Sequence, residues 1–153
     1  MTKLDKVILH CSDTPDDDNT KISMAEITKW HIERGFDTIG YHYVVNRNGC
    51  IETGRPLWQM GAHTFSYNED SIGICYVGRR WPTEAQMNSL ILLFRDLGKE
   101  YLIQANQWYG HYEFDDKKTC PGISMILFSL GMQFSKFLIA IISDLCSYSL
   151  SDQ

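Results

Sequence analysis

Two unbroken apolar runs, "KVILH" at residues 6–10 and "SIGICYVG" at residues 71–78, constrain this chain more than any other feature. Both are short, rich in β-branched residues and followed by turn formers or a glycine, so they read as buried strands. A buried strand needs cover, and two segments supply it. "SMAEITKWHIERG" carries a capping box, Ser23 with Glu26, then Ile27, Trp30 and His31 on one face and Gly35 as a stop. "TEAQMNSLILLFRDLGKEY" opens with a second box, Thr83 with Gln86, and repeats Met87, Leu90, Ile91, Phe94 and Leu97 at helical spacing. "YHYVVNRNGCIE" reads as a hairpin turning at Asn48-Gly49, where both residues tolerate positive φ. A hairpin combined with strand–helix alternation predicts an α/β fold, a single-domain mixed β-sheet flanked by helices. The 153 residues suffice to bury a core without disulfides or a structural metal. No internal repeat or low-complexity linker interrupts them.

Composition removes several functions. The formal net charge is -5 and the lysines and arginines are scattered, so the chain lacks the basic footprint of a nucleic-acid binder. The five cysteines, at 11, 50, 75, 120 and 146, are odd in number and contain no C-x-x-C pair. That argues against a disulfide framework or a closed zinc knuckle and predicts reduced, buried thiols. The apolar run in "MTKLDKVILH" is too short for a signal peptide, which predicts synthesis in the cytoplasm.

Residues 123–142 are mostly apolar. Ile123, Leu127, Leu130, Phe134, Leu138 and Ile141 form one helical face, while Met125, Phe128, Met132 and Ile139 make the opposite face apolar too. The length matches a bilayer crossing. Gln133 and Lys136 lie inside it, however, and a lysine near a bilayer centre costs roughly 3 kcal/mol. A helix buried or covered by a partner is the favoured reading, with membrane contact by this segment as the alternative.

The chemistry concentrates at the exit of the first strand and in the loop "GHYEFDDKKTCPG", residues 110–122. A catalytic zinc needs three protein ligands and an open position, and His10, His111 and Cys120 form a plausible set of borderline-soft donors. A rival uses Cys120 as a nucleophile with His111 as base. The thiol precedes a Pro-Gly and a helix start with Lys118 nearby, features that lower a thiol pKa. A third reading has only a buried thiol and surface imidazoles. The residues by themselves leave all three open.

The blocks "VILHCSDT", "KWHIERGF", "IGYHYVVNRNGCIETGRP", "GAHTFSYNEDSIGICYVG" and "GHYEFDDKKTCPG" resemble, in this order, the type 2 class of zinc-dependent N-acetylmuramoyl-L-alanine amidases. That class includes phage lysis amidases and peptidoglycan recognition proteins. The resemblance runs from Val7 to Gly122 and implies an amidase/peptidoglycan-recognition-protein-like fold with zinc as cofactor. It implies His10, His111 and Cys120 as metal ligands, Tyr41 as the catalytic tyrosine and Lys118 as the lysine of the phage enzymes. His63 matches a position lining the substrate groove, with structural hydrogen bonding an equal alternative. The implied partner is peptidoglycan, the implied reaction hydrolysis of the amide joining N-acetylmuramic acid to L-alanine, and the implied setting phage lysis of the cell wall after release. A non-catalytic peptidoglycan-binding module is the runner-up, although such relatives lack the cysteine present here at 120.

Blander roles stand beside these. Tyr41, starting a strand, is half-buried packing, and Lys118 is a solvated loop charge. His42 points to the other face as a core histidine, and His31 faces helix packing. Trp58 and Tyr67 line a cleft or belong to the core. The resemblance ends at Gly122, so residues 1–122 read as the amidase core and 123–153 as a hydrophobic helix and tail packed on the same domain. A diverged last helix, an added tail or a change of reading frame each accounts for that tail.

Overall fold

The computed structural model describes residues 3–17 and 21–133. Five strands form one mixed sheet in the order β3-β2-β4-β1-β5. They are β1 (Lys6–Cys11), β2 (Tyr43–Val45), β3 (Ile51–Thr53), β4 (Ser71–Tyr76) and β5 (Trp108–Gly110). β1 lies between β4 and β5 and runs parallel to both; β2 is parallel to β4, and only β3 is antiparallel to its neighbour. The two apolar runs are thus adjacent central strands, with every residue of β4 buried.

Alternation along these strands makes two buried faces. One carries Val7, Leu9, Val45, Ile72, Ile74 and Tyr76 and packs against α2 (Glu84–Tyr101) through Leu90, Leu93, Phe94 and Leu97. The other carries Val44 and Cys75 and packs against Ile27 of α1 (Met24–Glu33). His10 has the parity of this second face and is 1% exposed. Both helices begin at the capping boxes read from sequence, Ser23 with Glu26 and Thr83 with Gln86. Gly35 follows α1 at φ +93°, the left-handed stop that glycine adopts without strain.

Three expectations need correction. The hairpin turn is not a two-residue turn at Asn48-Gly49: Gly49 N–H donates to Asn46 O and only Gly49 has positive φ, so Asn46–Gly49 is a turn closed by a left-handed glycine. Asn48 instead accepts the Cys50 N–H on its side chain. Tyr41 does not begin a strand; it lies between bends at Gly40 and His42, just before β2. Among the described cysteines only Cys75 is fully buried, while Cys11 and Cys120 are half-buried and Cys50, at the exposed end of the hairpin, faces solvent.

Residues 125–133 are helical, with Met125, Phe128 and Met132 buried in the α2-side core beside Trp108. Ile126, Leu127 and Leu130 are exposed. The predicted opposition of faces therefore holds here, but one face is covered and the other is not. Phe134, Lys136, Leu138, Ile139, Ile141 and Cys146 lie outside the described residues. Among the described residues no helix is long and apolar enough to cross a membrane.

Candidate metal centre

Strand register brings the first two candidate ligands together. Leu9 of β1 pairs with Gly110 of β5, so the next residue on each strand, His10 and His111, emerges at the same sheet edge with ring centroids 4.7 Å apart. This is the carboxyl edge of the parallel strands, where open α/β sheets place ligands. The chain then turns through a 3-10 segment, His111–Glu113, held where Gly110 N–H donates to Glu113 Oε1 at 2.7 Å.

Cys120 returns to the same point because its loop is tied down at several atoms. Tyr112 N–H donates to Cys120 O at 2.9 Å, and the Tyr76 hydroxyl of β4 donates to Pro121 O at 2.7 Å. Cys120 Sγ accepts the Cys11 N–H at 3.2 Å and lies 3.8 Å from His10 Nδ1. One donor atom each of His10, His111 and Cys120 lie within 4.8 Å of one another.

These three fit a metal. Donors around tetrahedral zinc stand roughly 3.5 Å apart, from bonds of about 2.0 Å to nitrogen and 2.3 Å to sulfur, so a small contraction closes the group. The set has three donors, leaving a fourth position for solvent or substrate. The group opens into a cavity of about 680 Å³ whose lining includes Tyr41, His63, Trp30, Arg79 and Lys118.

Electrostatics suits neutral ligands. Burial first, then the charges of His63 and His111, hold His10 well below the usual histidine range. Burial and then Lys118 lower His111. The Tyr41 ring lies 5.0 Å from that of His10, and burial, then Cys75, pushes its hydroxyl well above the ordinary phenol range. Lys118 is exposed, and its charge is felt by both His10 and His111. The neighbouring Cys11 thiol, then burial, pushes Cys120 up. That is opposite to the lowering expected from Lys118 and a following helix, because the thiol sits against another thiol and the described helix starts only at residue 125.

The remaining candidates separate. His63 reaches the site, its Nδ1 3.1 Å from His10 Nε2. His42 and His31 are buried, each accepting a backbone N–H, from Gly73 and Gly40 respectively. Trp58 is 71% exposed and lines a separate hollow with Met60 and Leu102; Tyr67 packs on Phe114. Neither aromatic lines the metal cavity. Sequence reasoning passed over Cys11, Thr64 and Ser71: Cys11 meets Cys120 and Thr64 meets His10 only across long stretches of chain, and the nearer contacts of Thr64 and Ser71 with His63 belong to no recognisable motif.

Known proteins share this arrangement of elements. The endolysin of Escherichia phage T7 is 34% identical over 129 residues, covering 79% of this chain and 82% of the phage protein. The amidase LysC from Clostridium intestinale superposes with a TM-score of 0.70 at 28% identity, covering 78% of this chain and 77% of that one. Drosophila PGRP-LB superposes with a TM-score of 0.69 at 29% identity, covering 79% and 76%. The family model described as N-acetylmuramoyl-L-alanine amidase matches residues 1–123, which include both histidines and the cysteine of the candidate centre. With four-fifths of its length inside that match, the chain belongs to the N-acetylmuramoyl-L-alanine amidase family.

Proposed function

We propose that this chain hydrolyses the amide joining the lactyl group of N-acetylmuramic acid to L-alanine in peptidoglycan. Zinc is held by His10, His111 and Cys120, and the setting is phage lysis of the bacterial cell wall. The observation that carries the reading is the convergence of two imidazoles and a thiol within 4.8 Å, beside Tyr41 in an open cavity, in a chain of the amidase family. Zinc bound there supplies a Lewis acid for the amide carbonyl and brings the pKa of water down to about 7.

The chain's own residues do the rest. His10 and His111, kept neutral by burial, present lone pairs rather than protons. Tyr41 stays protonated at neutral pH, so its hydroxyl is a hydrogen-bond donor at the place where negative charge builds on the carbonyl oxygen. Lys118 on the cavity wall adds a fixed positive charge to the same region. His63 lies on the cavity wall as well, its Nδ1 3.1 Å from His10 Nε2.

The thiol-nucleophile alternative uses His111 as base and leaves His10, whose Nδ1 is 3.8 Å from Cys120 Sγ, without a chemical role, whereas the metal reading employs all three. The binding-only alternative fits relatives without the cysteine, and here Cys120 stands beside both histidines.

The test is chemical. Purified protein is incubated with peptidoglycan, and new alanine amino groups are measured along with the integrity of the glycan strands. Wild type should free alanine amino groups, lose that activity to a chelator and regain it with zinc; Cys120→Ser should be inactive. Full activity in Cys120→Ser would end the zinc reading.

A further inference from the structure

His63 stands outside the three-donor group, yet the fold makes room for it at some cost. A Cβ added to Gly73 would come 2.3 Å from the His63 ring, and one added to Gly61 would come 2.5 Å from it. Neither glycine has positive φ, so backbone conformation does not require them. Gly73 also interrupts β4, a fully buried strand in which glycine weakens pairing. At Gly73 the atoms such a Cβ would meet first all belong to His63, and at Gly61 they belong to His63 and His42.

We infer that His63 is a positioning residue that fixes the tautomer of His10, accepting a hydrogen bond from His10 Nε2–H so that Nδ1 is left free to hold the metal. This rests on the metal centre of the proposed function. Hydrogen-bond direction along a chain of four groups supports it. The Ser71 hydroxyl donates to Tyr67 O and therefore accepts toward His63, whose Nε2 lies 3.5 Å from Ser71 Oγ. With its proton on Nε2, neutral His63 carries a lone pair on Nδ1. That nitrogen is 3.1 Å from His10 Nε2, which must then be the donor. Thr64 Oγ1, 3.1 Å from His63 Nδ1 and 3.4 Å from His10 Nε2, closes the triangle. The lone pair of His10 is thereby placed on Nδ1, 3.8 Å from Cys120 Sγ. Metal-bound histidines ordinarily donate their second N–H to such an acceptor, and losing that partner weakens metal binding.

This role differs from a groove-lining contact with substrate, and the difference is measurable without turnover. The full chain is prepared as wild type, His63→Ala, His63→Phe and His63→Gln, stripped of metal, checked for folding by thermal melting, and titrated with zinc against a chelating indicator. Wild type should bind one zinc. Ala and Phe, which offer no acceptor, should weaken zinc roughly 10- to 100-fold, whereas Gln, whose side-chain oxygen can accept, should recover most of that loss. Folded Ala or Phe variants that bind zinc within about twofold of wild type, with only KM raised on peptidoglycan, would assign His63 to substrate contact and overturn the inference. A wild type that binds no zinc would instead overturn the proposed function itself.

Discussion

Arg55 Nη2 donates to Asp37 Oδ1 at 2.6 Å, pinning the segment that leads into Tyr41 against the loop after β3. The guanidinium is 8% exposed and fills its other directions with carbonyls, Nε donating to Ile39 O at 2.7 Å and Nη1 to Met60 O at 2.9 Å. Its own backbone N–H donates to Tyr41 O at 2.9 Å. One residue fourteen positions away thus holds both the Tyr41 carbonyl and the stretch that leads into it.

Replacing Arg55 tests that brace. Arg55→Met leaves the buried Ile39 carbonyl and the part-buried Met60 carbonyl without their donor, the first costing about 1–3 kcal/mol and the second less, so a loss of roughly 3 kcal/mol is expected. At about 2–4 °C per kcal/mol for a chain of this size, Tm should fall by roughly 6–12 °C. Asp37→Asn should cost under about 1 kcal/mol, because its carboxylate is 70% exposed. Equal losses in both variants would mean the ion pair, not the carbonyl fork, carries the stability.

Tyr41→Phe removes one hydroxyl and keeps the ring against His10. If that hydroxyl meets developing negative charge, kcat should drop about 100-fold while zinc affinity stays unchanged. A variant within tenfold of wild-type kcat would return Tyr41 to packing.

Much of the scaffold is legible locally because its signals are local. Capping boxes sit within four residues, and apolar runs such as "KVILH" announce burial by themselves. β5 gives no such signal: Trp108–Gly110 is too short to show a period and becomes a strand only by pairing with β1. The nearness of His111 to His10 depends on that pairing, so spacing along the chain could name both residues without explaining why they meet. The same holds for His63, which shares no element with His10. Tyr41 misleads for a related reason, since an aromatic next to a β-rich stretch looks like its first residue until the bends at 40 and 42 are seen.

Acid should loosen the metal-free protein through its buried histidines. His31 Nδ1 accepts Gly40 N–H at 2.8 Å, and His42 accepts Gly73 N–H on Nδ1 while Nε2 faces Gln59 O at 3.0 Å. Protonating either Nδ1 breaks a backbone hydrogen bond. Burial, then Arg34 and Arg55, lowers His31 from 6.5 to about 4, and burial lowers His42. Between the folded and unfolded values the unfolded chain binds more protons, so stability rises with pH. The contribution is complete above about pH 6.5 and is lost as pH falls toward 4, up to about 3 kcal/mol for His31. Melting of chelated protein from pH 7.5 to 4.5 should show Tm falling, with a flatter slope in His31→Gln; a Tm independent of pH contradicts the assignment.

The segment after Ile123 lies beyond the family match, and its packing makes a sharp prediction. Met125, Phe128 and Met132 fall three and four residues apart and all enter the core, whereas Leu127 is 60% exposed. A tail merely appended to a finished domain has no reason to keep that spacing. Phe128→Ala should therefore cost about 3–5 kcal/mol through the cavity it leaves beside Trp108. Leu127→Ala should change stability by no more than about 0.5 kcal/mol. Thermal melting of the two variants separates the accounts: a large loss at 128 with none at 127 makes this helix the last layer of the amidase core, and two unchanged melting points make it an addition the core does without.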